Sequence, residues 1–163
     1  SEQVPFNFFY TSNLSLARSA LLDEPFDLGF PYPAWEDIEV SYRLQQRRGQ
    51  RLVYGAGARV EHDHPTDFQR FTVRQEKAGY SAVVFYRLHP ELGPFLGLSP
   101  EGPPDLPPAG PQRLREALVR ALQSLPVRLP SLWQEALRYH YIRGLQRGWQ
   151  EVTGDRKEIA PCS

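Results

Sequence analysis

The chain has no methionine and a single cysteine, Cys162, in 163 residues. One thiol cannot close an internal disulfide, so the stapled framework of small secreted domains is excluded, and a reducing, cytoplasmic setting is the expectation. Long apolar runs are missing as well. No stretch reaches the roughly 18 residues that a transmembrane helix requires. Net charge is zero, from 19 basic and 19 acidic residues, which removes any global attraction to nucleic acid.

At this length the chain suits one ordinary domain, or one domain with an appendage, and can bury roughly 70% of its unfolded surface. "PFNFFY" (5–10) is aromatic and compact and reads as a buried strand. "TSN" breaks it, and "LSLARSALL" reads as a short helix with Leu14, Ala17 and Leu21 on its apolar side. "DEPFDLGFPYPAW" contains three prolines and a glycine, which marks a loop of specific shape. A helix is predicted over 35–48, stopped by Gly49, with Asp37 and Glu39 near its start and Arg47 and Arg48 in its last turn. That charge order suits the helix dipole, and Arg43 stands four residues after Glu39, at ion-pair spacing.

"RLVYG" and "ARVEH" are short strand candidates around "GAG". "TDFQ" has capping-box spacing and opens a longer helix to about residue 89, in which Gly79 is a weak point. Residues 99–111 contain six prolines and read as a linker. Amphipathic helices are predicted over 112–125 and 131–149, before a polar tail. The expected organisation is a main body (1–98), a linker (99–111) and a helical appendage (112–163).

Four features occur in order: "TSNLSLARSALL", "FDLGFPYPAWEDIEVSYRLQQRRGQRLVY", "ARVEHDHP", and a helix rich in aromatics. Together they resemble the C-terminal half of family 2 glycosyltransferases, over roughly residues 5–90. The resemblance implies an α/β fold, the C-terminal portion of a GT-A (Rossmann-like) architecture with a short mixed sheet and added C-terminal helices. It implies an enzyme that moves a sugar from a nucleotide-sugar donor to a hydroxyl of a glycan or other acceptor, with inversion. In that family the second carboxylate of the Glu-Asp motif is the general base, which maps to Asp37. Glu36 would orient the loop or an acceptor hydroxyl, and Trp35 offers a flat face for a sugar ring.

Asn13 and Arg18 match the family's N-x-S-x-x-R stretch near the donor. The resemblance further implies a divalent cation, Mg²⁺ or Mn²⁺, with His62 as the metal ligand, His64 as the second candidate, and Asp63 in support. No Asp-x-Asp is present. With the missing methionine, this makes the C-terminal portion of a longer enzyme the expectation, its metal–phosphate half lying outside these residues.

A different class of function rests on the other end of the chain. Between Pro111 and Trp149 stand seven arginines against Glu116 and Glu135. In that alternative the helices form a non-catalytic module for a partner protein or a membrane's inner face, with Trp133, Tyr139, Tyr141 and Trp149 as anchors. The same aromatics would otherwise pack the helices onto the body.

Overall fold

The computed structural model describes residues 2–61, 63, 67–122 and 130–154. It is mixed α/β and mostly helical, and its contacts divide the chain after residue 64 into two compact units.

In the first unit, β1 (Glu2–Val4) pairs antiparallel with β2 (Leu52–Tyr54), with Val4 opposite Leu52. The expected mixed sheet is thus a two-stranded antiparallel ribbon among the described residues. The expected strand at 5–10 is also displaced. Pro5 has no N–H to give a ladder, and the chain turns behind it into a 3₁₀ turn, Phe6–Phe8, closed by Phe8 N to Pro5 O at 3.1 Å. A second 3₁₀ turn, Thr11–Asn13, leads to α1 (Arg18–Asp23). "ARVEH" forms no strand over its described residues. Ala58 N closes a turn on Gly55 O at 2.9 Å, and the exposed segment beyond it pairs with nothing in the ribbon.

Helix α2 (Glu36–Arg48) ends as expected, with Gly49 at φ 61° and its N–H on Gln45 O. Only glycine takes that left-handed position without strain. Its inner face supplies Val40 and Leu44, which join Phe9 and Ala20 in a core extended by Leu14, Leu16, Leu21, Phe26 and Leu52. Phe6 meets Tyr42 edge to face at 5.1 Å.

The second unit begins with α3 (Phe68–Leu88). Its N-cap is Asp67, whose Oδ1 accepts from Arg70 N at 2.7 Å; Thr66, expected in that role, lies outside the described residues. A short α4 (Gly93–Leu96), α5 (Ala109–Leu122) and the long α6 (Pro130–Gly154) follow. Helices α3 and α6 run parallel, since their contacts keep the same order in both. Phe68 meets Trp133, Glu76 pairs with Arg143 and Arg147, and Tyr86 meets Trp149.

Glycines permit this approach: a Cβ on Gly79 would overlap Tyr141 O, and one on Gly144 would overlap Glu76 O. The aromatics that the alternative reading would use as anchors are engaged inside the unit. Trp133 packs on Phe68, and Tyr141 donates its hydroxyl to Leu96 O at 2.9 Å. Burial holds the Tyr141 phenol above its ordinary range.

This packing corrects the expected linker and appendage. The proline-rich stretch does not separate two bodies; it folds within the second unit. Ser99 and Gly102 exchange backbone hydrogen bonds at 3.1 and 3.0 Å, Gly102 (φ 127°) lies against Trp149, and Pro104 O accepts from Gln146 at 3.1 Å. Helix α6 completes a core that α3 begins. Among the described residues no helix is long and apolar enough to cross a membrane.

Candidate functional site

The residues singled out by the Glu-Asp motif are placed by the loop that precedes α2. Its start is fixed by Glu24, whose carboxylate accepts from Arg43 Nη1 at 2.7 Å and from Arg47 Nη1 at 3.0 Å. Arg43 also donates to Pro25 O and, through Nε, to Glu39 Oε1 at 2.6 Å. The Arg43 hydrogen bond foremost holds the Glu24 carboxyl below the ordinary carboxylate range. Burial opposes the charge on Arg43, but the bonds to Glu39 and Glu24 outweigh it and raise the guanidinium's affinity for its proton. Within the loop Asp27 Oδ1 accepts from Gly29 N at 2.6 Å, and Ala34 N donates to Tyr32 O at 2.8 Å.

The loop delivers Trp35 at φ 74° and ψ −12°, a left-handed conformation on a bulky residue. Such backbone costs on the order of 1–3 kcal/mol and persists only where its surroundings impose it. Trp35 O accepts from Glu39 N at 2.8 Å, so the helix begins directly from the strained residue.

Three carboxylates occupy the first turn, and they divide by environment. Glu39 is 1% exposed and engaged by Arg43. Asp37 is half-buried, with Oδ1 accepting from Ile38 N at 2.8 Å. Glu36 is half-buried, and its Oε2 is buried with no hydrogen-bond partner among the described residues. Burial pushes the Glu36 carboxyl above the ordinary range; its backbone hydrogen bond opposes this, and the neighbouring Asp37 charge adds to it. An unsatisfied buried acceptor costs about 1–3 kcal/mol, which a hydroxyl donor arriving at Oε2 would offset. Adjacent helical residues diverge by about 100°, so the two acids address different atoms rather than one shared proton.

The remaining candidates lie elsewhere in the unit. Asn13 donates from Nδ2 to Ala58 O at 2.8 Å, tying one turn to another, and lines a groove with Phe8, Tyr10, Leu16, Arg51 and Tyr54. Trp35, Glu36 and Asp37 are not among the groove's lining residues. Arg18 is exposed at the first position of α1. His62 and His64 lie outside the described residues, and Asp63 between them is exposed. Among the described residues no three His, Cys, Asp or Glu side chains converge as a metal site.

Sequence spacing revealed the Glu39–Arg43 pair but not Glu24. That acid lies 19 residues from Arg43, and no periodicity joins them. No protein-family model matches the chain, and no curated protein or solved structure matches it.

Proposed function

We propose that the chain forms the acceptor side of an inverting glycosyltransferase of the family 2 type, built on the C-terminal portion of a GT-A fold. The observation that carries this reading is the start of α2. A strained tryptophan is followed at once by two carboxylates in unlike environments, one of them with a buried, unpartnered oxygen. Strain and unsatisfied polar atoms gather where geometry serves chemistry, and one carboxylate held by a backbone N–H beside another left without a donor suits separate roles.

In this reading Asp37 removes the proton of the acceptor hydroxyl as that oxygen attacks the anomeric carbon of the donor. The bond from that carbon to the diphosphate oxygen breaks on the opposite face, and its electron pair leaves with the nucleotide. Glu36 Oε2 accepts from a second acceptor hydroxyl and fixes the angle of attack. The half-buried Trp35 ring presents its face to the sugar. Asn13 serves by shaping its turn through Ala58, and Arg18 is available to the donor from α1. The proposal retains the Mg²⁺ or Mn²⁺ expectation through His62 and His64, and the proton transfer above requires neither.

The test is a donor screen of the enzyme that contains this chain, following nucleoside diphosphate release and the anomeric configuration of the product by NMR. Release with inversion is expected. Retention of configuration, or no release with any nucleotide-sugar, would contradict the reading.

A further inference from the structure

Helix α5 turns its more apolar side outward. Gln112, Glu116 and Val119 face the body of the second unit: Gln112 donates to Ala136 O at 3.0 Å, Glu116 meets His140 at 3.0 Å, and Val119 is fully buried. The opposite side presents Leu114, 63% exposed, and Leu118, 44% exposed, with the exposed Ala117 and Ala121 beside them. At 3.6 residues per turn these four share one stripe along the helix.

Arginines border the stripe on both sides, Arg113 and Arg120 along one edge and Arg115 along the other. Glu116, the single acid in α5, points inward and pairs with Arg120 at 3.0 Å. Arg113 and Arg115 form no ion pair among the described residues. A packed surface helix ordinarily does the reverse, burying its leucines and exposing its glutamine and glutamate.

We propose that α5 is a docking surface for an anionic lipid bilayer, on which it lies flat. Leu114 and Leu118 enter the acyl boundary, and the flanking guanidiniums meet lipid phosphates. The charge pattern selects this occupant over a second copy, because α5 set against its own twin would bring arginine against arginine with no acid on the shared face. This surface lies apart from the α6 aromatics that the alternative reading named as anchors, such as Trp133, Tyr141 and Trp149, which the fold uses internally. It does not depend on the glycosyltransferase reading.

The test is sedimentation of the full 163-residue chain with vesicles of phosphatidylcholine alone, or of phosphatidylcholine and phosphatidylglycerol in equal parts. Binding to the anionic vesicles, weakened by salt and nearly absent from the neutral ones, is expected. Leu114→Ser with Leu118→Ser should lower partitioning at least about tenfold. Arg113→Gln and Arg115→Gln should lower it about fivefold each. Circular dichroism of each variant checks that helix content is retained. Equal affinity for both vesicle types would overturn the proposal, as would a leucine variant that binds like the parent. So would self-association without vesicles that the leucine substitutions abolish, since the stripe would then belong to a second copy.

Discussion

Arg43 Nη1 donates to Glu24 Oε2 at 2.7 Å, joining the end of α1 to the middle of α2. With Glu39 on its other side, Arg43 lies between two buried carboxylates and fixes the origin of the loop that ends in Trp35. Arg43→Ala should therefore destabilise the first unit by about 3 kcal/mol, because the buried Glu39 loses its counter-charge and Glu24 keeps only the more exposed Arg47. Arg43→Lys should recover only part, since an ammonium lacks the planar fork that reaches Glu24, Glu39 and Pro25 O together. Urea denaturation measures both.

The same contact sets an acid dependence. Glu24 titrates below its ordinary value of 4.5 in the fold, so the folded state binds the proton less tightly than the unfolded chain. Its contribution is present above that ordinary value and is lost as pH falls through the lowered one. Removing Arg43 should flatten this part of the stability–pH profile. Parallel profiles for parent and Arg43→Ala would contradict the assignment.

Gly144→Ala should destabilise the second unit by about 3 kcal/mol or more, because the added Cβ meets the α3 backbone at Glu76 rather than a side chain that can move aside. Gly79→Ala should behave alike. Gly148→Ala should cost less, its nearest contact being 3.0 Å. An exposed helical glycine would instead gain about 0.5–1 kcal/mol from alanine, so the sign of the change alone decides.

Truncation after Leu98 removes α6 and uncovers the face of α3 that bears Phe68 and Gly79. The truncated chain should associate and lose cooperative unfolding. A soluble, cooperatively melting product would restore the view that the C-terminal helices are an appendage.

The uneven legibility of the sequence follows from these contacts. Helix α2 was plain because its acids, its basic last turn and Gly49 all act within a few residues. The Glu39–Arg43 pair was plain for the same reason. Gly79 read as a weak point of a helix, since nothing local points to Gly144 in another helix. The prolines marked an irregular stretch, but Pro111 lies in the first turn of α5, and nothing local showed that Gly102 and Pro104 settle on α6. At the candidate site, the helix start was legible, and Glu36 and Asp37 stand in its first turn as the spacing implied. The left-handed backbone of Trp35 had no signal, because no glycine stands there.

Glu36→Gln tests whether function keeps a poorly satisfied acid in place. The Glu36 carboxyl titrates above 4.5 in the fold, so the folded state holds that proton more tightly than the unfolded chain. The parent thus gains stability as pH falls through the raised value and gives it up toward neutrality. The variant should melt at or above the parent at neutral pH, and its advantage should shrink in acid, while sugar transfer slows. A clear loss of stability at neutral pH would mean that Oε2 has a structural partner.

The most direct measurement of the proposed activity is the rate of sugar transfer with Asp37→Asn, compared with the parent. Asparagine keeps the size of the side chain and its ability to accept from Ile38 N, and removes only basicity. Transfer should fall by about 10² to 10⁴, with donor affinity nearly unchanged and the thermal midpoint held. Near-normal turnover in Asp37→Asn would show that the start of α2 does not supply the general base.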